Sequence, residues 1–143
     1  MRTIVRHLAA AALLLSPAAS IPQDRADHSN RFDGKWQTTL SCSAIGDAQA
    51  FTWRFISEVK DGFLRGLQGV EGKPASLLIE GTIGEDGVGK LYATGHTGQK
   101  QYVPGDTPVG TEFNYHIKSQ FGDRTGTGTR VEGRPCSYEF EKQ

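Results

Sequence analysis

Aromatic side chains are the residues of this sequence best suited to form a binding site. "FTWRFISEV" places Phe51, Trp53 and Phe55 at every second position, so an extended chain would carry the three rings on one face. Tyr115 lies in a similar run, and Tyr102 lies in the long connection "GQKQYVPGDTPV". Such rings either fill a hydrophobic core or surround a pocket for a small apolar or aromatic ligand at the mouth of a barrel.

No combination of side chains indicates catalysis or metal binding. His28, His96 and His116 lack the spacing of metal ligands, and the last two fall on the polar side of alternating segments. There is no G-x-S-x-G elbow, and no carboxylate falls among the well-patterned inward positions. We therefore expect no enzyme activity, no catalytic residue, no metal and no cofactor.

Two glycine-rich stretches have partial nucleotide-loop spacing. "GEDGVGKL" has the G-x-x-x-x-G-K spacing of a phosphate-binding loop, but Leu91 stands where Ser or Thr would reach magnesium. "TGTGTR" lacks the third glycine and the βαβ setting of a dinucleotide loop. We interpret the first as a hairpin turn and the second as a strand whose glycine face admits a close neighbour.

The N-terminal segment, residues 1–20, has the build of a secretory signal peptide. A basic start precedes a short apolar run, and Ala18 and Ser20 fit the small-x-small cleavage rule. The apolar run, Leu8 to Leu15, is much shorter than the about 20 residues that cross a bilayer. We predict a periplasmic or secreted protein with no membrane span after signal cleavage.

The remaining residues are enough for one domain with a modest core. Residues 21–31 lack an apolar period and are expected to be a flexible leader, which leaves 32–143 as the folded unit. The whole chain has sixteen basic and sixteen acidic residues, and removal of Arg2 and Arg6 with the signal peptide leaves a net charge near −2. A nucleic-acid partner is not expected, because such binding requires a concentrated basic surface.

Residues 32–143 alternate between apolar and polar types with a period of two, which predicts strands with one buried face. Asp61-Gly62 and Asp86-Gly87 favour tight hairpin turns. We predict eight strands, at about 34–43, 49–60, 63–70, 75–84, 88–97, 110–121, 124–132 and 134–142. Short connections favour an all-β antiparallel meander closed into a barrel, which hides the sheet edges. A two-sheet β-sandwich is the alternative.

The two cysteines, Cys42 and Cys136, lie in the first and last predicted strands. An even count in an exported domain favours a disulfide over free thiols, and a metal site would need more ligands. Cys42 shares the inward phase with Trp36, and the first and last strands of a closed barrel are neighbours. We therefore predict a Cys42–Cys136 bridge that locks the closure.

"GKW", Gly34 to Trp36, resembles the glycine-x-tryptophan that opens the first strand of calycins, the superfamily of lipocalins, avidins and fatty-acid-binding proteins. The resemblance implies an antiparallel barrel that holds small apolar molecules. It also implies an arginine that packs across the tryptophan, for which Arg130 and Arg134 are the candidates. Gly34 would let the chain turn into the barrel, and Trp36 would cover one end of the core.

Three functions follow as hypotheses. The first is an exported binding protein with a small apolar or aromatic ligand in the barrel. The second is an exported enzyme inhibitor or protein-interaction module, which would contact a protein partner through the loop 98–109. The third is a structural envelope domain without a ligand.

The period-two pattern predicts the secondary-structure content of the exported protein. Far-ultraviolet circular dichroism, measured after removal of the signal peptide, should show sheet with little helix. A helix content above about a quarter, close to the average of about 30 % for globular proteins, would contradict this interpretation.

Overall fold

The alternating segments form eight β-strands in a computed structural model, which describes residues 30–143. The predicted signal peptide and most of the predicted leader lie outside the described residues. Short 3-10 turns occur at Asn30–Phe32 and Lys100–Tyr102. The strands are β1 Gly34–Cys42, β2 Phe51–Lys60, β3 Phe63–Gln68, β4 Ser76–Ile83, β5 Val88–His96, β6 Glu112–Phe121, β7 Thr125–Arg130 and β8 Cys136–Lys142.

The strands form a closed barrel in chain order. Each strand pairs antiparallel with the next, and β1 also pairs with β8, so the sheet has no free edge. The predicted meander barrel is therefore confirmed and the β-sandwich alternative is wrong. Within residues 30–143, no helix has the length and apolar character needed to cross a bilayer.

A disulfide joins the first and last strands at the seam of the barrel. The register of β1 and β8 places Cys42 opposite Cys136, and the two are bonded, as predicted. The bridge closes a loop with a sequence separation of 94 residues. In the chain-entropy model, a disulfide that closes a loop of this length stabilises the folded state by roughly 4–5 kcal/mol.

Trp36 fills one end of the barrel, which we call the closed end. Its indole is fully buried, and Nε1 donates a hydrogen bond of 2.9 Å to the carbonyl oxygen of Phe32. The Phe121 ring meets the indole edge-on at 5.3 Å between centroids, and Phe140 packs against Phe121 at 4.7 Å. The buried donor is thus satisfied, and the aromatic cluster leaves this end filled.

The cation over the Trp36 ring differs from the one that the calycin resemblance implied. Lys142 Nζ lies 5.8 Å from the ring centroid. Arg130 and Arg134 lie over the rings of Tyr115 and Phe51 instead. Strand position explains the difference, because β8 brings Lys142 opposite Trp36 in the register of the seam.

The threonine-glycine stretch forms β7, with its glycines turned inward. A Cβ on Gly126 would lie 2.9 Å from the Phe121 ring, and one on Gly128 would lie 3.2 Å from Cβ of Tyr138. The missing side chains therefore leave room for large aromatic neighbours, as the sequence predicted.

The two tryptophans should differ in their contribution to stability. Trp36→Ala is expected to lower the free energy of unfolding by roughly 3–5 kcal/mol, because a fully buried aromatic side chain is lost. Trp53→Ala should cost clearly less, because Trp53 is only half-buried. Denaturant titrations of the oxidised proteins measure both values. Equal, large losses would show that both rings are core residues.

Candidate ligand-binding site

The end of the barrel opposite Trp36 contains a cavity of about 530 Å³. It is surrounded by the end of β1, the starts of β2, β4 and β6 and the end of β5, together with the segment 98–109. Small-molecule sites in proteins commonly occupy about 300–1,000 Å³. The barrel interior is thus filled at the closed end and hollow at this end, which we call the open end.

Aromatic side chains from three elements form much of the cavity wall. Phe51 and Trp53 lie on β2 with ring centroids 4.9 Å apart, and the Tyr102 ring meets Phe51 edge-on at 5.9 Å. On β6, Phe113 and Tyr115 stack at 6.1 Å. Period-two spacing places both members of each strand pair on the inner face, which is why they converge on one space.

Of the five aromatic residues predicted from the sequence, four line the cavity: Phe51, Trp53, Tyr102 and Tyr115. Phe55 does not, because it lies deeper along β2 and is 7 % exposed within the core. Phe113 was not among the predicted residues, although it shares the inward phase of Tyr115. Its alternation with Tyr115 was the signal that would have identified it.

The hydroxyl group of Tyr115, a residue of the cavity wall, forms a buried polar contact with that of Tyr138. The Oη atoms of Tyr115 and Tyr138 are 2.6 Å apart. Burial raises the pKa of Tyr115, and burial together with the neighbouring Tyr115 raises the pKa of Tyr138 well above its usual value. Both groups are therefore neutral phenols at physiological pH, suited to hydrogen bonding rather than to accepting a proton.

Arg134 ties together the two connections at the open end. Its Nε donates to the carbonyl oxygen of Ser43 at 2.6 Å, Nη1 to that of Tyr102 at 2.8 Å, and Nη2 to that of Gln49 at 2.5 Å. The side chain is 8 % exposed, and its carbon Cζ lies 5.0 Å from the centroid of the Phe51 ring. Its role is thus to position the connections rather than to cover Trp36.

The segment 98–109 lies across the open end and is held there by further contacts. The Gln49 amide donates to the carbonyl oxygen of Gln101 at 2.8 Å. The Gly105 amide donates to Oδ1 of Asp47 at 2.9 Å, and this bond is the main reason that the pKa of Asp47 is lowered. We call 98–109 the lid segment, because Tyr102 and Val103 within it line the cavity.

Arg130 lines the cavity from the end of β7. Its guanidinium carbon lies 3.9 Å from the centroid of the Tyr115 ring, and its Nε donates to the carbonyl oxygen of Glu132 at 2.5 Å. The Glu132 carboxylate accepts hydrogen bonds from the His116 amide and ring at 2.8 and 2.6 Å, which lower its pKa. The Glu132 carboxylate therefore binds His116 and not Arg130.

His96 lines the cavity rim, although the sequence assigned it to the polar side of β5. Its Nδ1 is 3.5 Å from Oγ of Ser76, and its Nε2 is 3.9 Å from the Glu112 carboxylate. Ser76 is buried and does not belong to the cavity wall, so the three residues present no nucleophile to a ligand. The part of the chain described contains no cluster of three His, Cys, Asp or Glu side chains arranged to hold a metal ion.

Comparisons with known proteins identified no relative of this chain. No family model matches the chain, and no similar curated protein or solved structure was found. The eight-stranded closed barrel is compatible with the calycin resemblance.

Loss of Arg134 should loosen the lid segment. Arg134→Met removes three hydrogen bonds from a charged donor, and we expect the free energy of unfolding to fall by roughly 1.5–3 kcal/mol. Amide hydrogen exchange and limited proteolysis should both accelerate within 98–109. Arg124→Met, an exposed change at the β6–β7 turn, is the matched control and should leave both rates unchanged. Unaltered exchange in the lid segment of Arg134→Met would contradict the positioning role.

Proposed function

We propose that the protein is an exported binding protein that holds a small apolar or aromatic molecule inside the open end of its barrel. The cavity of about 530 Å³ is the observation that carries this proposal. Folded proteins pack their interiors densely and leave few voids larger than a water molecule. A hollow of this size therefore needs an explanation, and a ligand site supplies one.

The chemistry of the wall supports an apolar or aromatic ligand. Phe51 and Trp53 contribute aromatic rings, and Leu40, Leu77 and Val103 add aliphatic surface. Burial of apolar ligand surface contributes roughly 25 cal/mol per Å², and each aromatic contact adds further specificity. The half-exposed Trp53 has surface left to cover, unlike the fully buried Trp36.

Two further observations support the setting that the sequence predicted. The Cys42–Cys136 disulfide is consistent with an oxidising compartment such as the periplasm or the extracellular space. The Gly34-x-Trp36 motif, at the closed end of an eight-stranded barrel, supports a calycin-like protein. The displaced arginines are the point at which the chain departs from that pattern.

The inhibitor hypothesis has less support from the lid segment. An inhibitory loop must present its side chains to a partner, whereas Tyr102 and Val103 line the cavity. Arg134 and Gln49 also hold the segment against the barrel. Under the third hypothesis, a structural domain without a ligand, the cavity would have no role.

An uncharged aromatic probe tests the binding function. N-phenyl-1-naphthylamine becomes fluorescent in apolar surroundings, and the oxidised wild-type protein should bind it saturably. Trp53→Ala should weaken binding by roughly 2- to 10-fold, which corresponds to the loss of one aromatic contact. Tyr92→Ala removes an exposed ring on the outer face and is the control, with no expected effect.

Absence of probe binding would contradict the proposal if a second measurement agrees. Native mass spectrometry of protein purified from its own host shows any retained small molecule or protein partner directly. A retained protein together with an empty cavity would favour the inhibitor hypothesis, and Tyr102→Ala would be the next variant to examine.

A further inference from the structure

The wall of the cavity contains positive charge without negative charge. Arg130 and Arg134 both line it, and no aspartate or glutamate does. An apolar ligand alone would not require this distribution, since a buried guanidinium group such as that of Arg134 is costly to place without a counter-charge.

The two arginines have no acidic partner in the described chain. Within residues 30–143, no carboxylate oxygen lies within 4.0 Å of either guanidinium group. Glu132 is the nearest acidic residue in the sequence, but its carboxylate binds His116. Burial and the charge of the neighbouring Arg130 lower the pKa of Arg134, which is consistent with an excess of positive charge at this end.

The hydrogen-bond donors of the two side chains are used differently. All three nitrogen atoms of Arg134 donate to backbone carbonyl groups. Arg130 uses only Nε in this way, and among residues 30–143 neither of its Nη atoms makes a hydrogen bond. The guanidinium group lies over the Tyr115 ring, which together with the Nε bond holds it at the cavity wall, and the two Nη groups remain available as donors.

We propose that the ligand is an amphipathic anion, a small aromatic or aliphatic acid whose acid group binds Arg130 while its apolar body lies against Trp53 and Phe51. This inference rests on the proposed function of the cavity and names the chemical class of the ligand. Arg134 adds fixed positive charge at the same end while it holds the lid segment.

The geometry of a guanidinium group fits this ligand class. Its planar fork of N–H donors matches the two oxygens of a carboxylate or sulfonate, and the charge makes these hydrogen bonds stronger than neutral ones. Inside a largely apolar cavity the attraction is screened less than in water. A ligand with one acid group and an apolar body therefore satisfies both parts of the wall, whereas a strongly polar ligand would leave the aromatic rings uncovered.

Two probes with the same carbon skeleton test the inference. 8-Anilino-1-naphthalenesulfonate and N-phenyl-1-naphthylamine differ only by the sulfonate group, and fluorescence titration gives the Kd of each. We expect the oxidised wild-type protein to bind the sulfonate at least about 10-fold more tightly, which is within the range for a hydrogen-bonded charge. Raising the salt concentration should reduce this preference.

Substitution of Arg130 assigns the preference to one side chain. Arg130→Gln should weaken binding of the sulfonate by about 10- to 100-fold and leave the Kd of the uncharged probe nearly unchanged. Arg54→Gln is the matched control, because Arg54 is exposed on the outer face of β2 beside Trp53. If Arg130→Gln does not fold, Arg130→Lys replaces it, since Lys keeps the charge but loses the planar fork; a smaller loss for the sulfonate alone is then expected.

The outcomes separate this inference from the proposed function. Tighter binding of the sulfonate that depends on Arg130 supports both. Equal binding of the two probes, or a sulfonate preference that survives Arg130→Gln, overturns the anionic ligand and leaves the apolar cavity in place. Binding of neither probe, together with no small molecule retained in native mass spectrometry, overturns both proposals.

Discussion

The pairing of β1 with β8 is the constraint on which the rest of this structure depends. It closes the sheet, removes both edges and brings Cys42 against Cys136 after a sequence separation of 94 residues. The same register places Lys142 over Trp36 at the closed end. A slip of one residue would turn every inward side chain of β1 to the solvent, so closure and core composition are specified together.

The two ends of the barrel are occupied in opposite ways. At the closed end, Trp36 and Phe121 fill the interior, and Gly126 of β7 makes space for the Phe121 ring. At the open end, the rings of Phe51 and Trp53 lie along the wall and leave the centre empty. Large aromatic side chains thus fill the interior at the closed end, whereas at the open end they form the wall of a cavity that the lid segment covers.

The arginines at the open end stabilise its connections and would also contribute to binding of the proposed ligand. Arg134 is held by three carbonyl groups and joins the connection after β1 to the lid segment. Its charge has no acidic partner in residues 30–143, and the burial of an unpaired charge is costly. An anionic ligand at Arg130 would offset that cost, so the polar network that positions the lid segment would also favour the ligand.

The sequence by itself determined the strands, their inward faces and the disulfide, because alternation with a period of two is a local property and the two cysteines had only each other as partners. It also identified four of the aromatic residues that meet at the cavity. It did not distinguish Trp53, which lines the cavity, from Phe55, which is in the core, since both occupy the inward phase of β2. Nor did it assign Arg130, Arg134 and His96 to the cavity wall. A period of two fixes which face of the sheet a residue occupies, but not its height along the barrel axis or what lies across the barrel from it. The height of each inward side chain depends on strand stagger and on the path of the connections, and only the closed tertiary structure decided these.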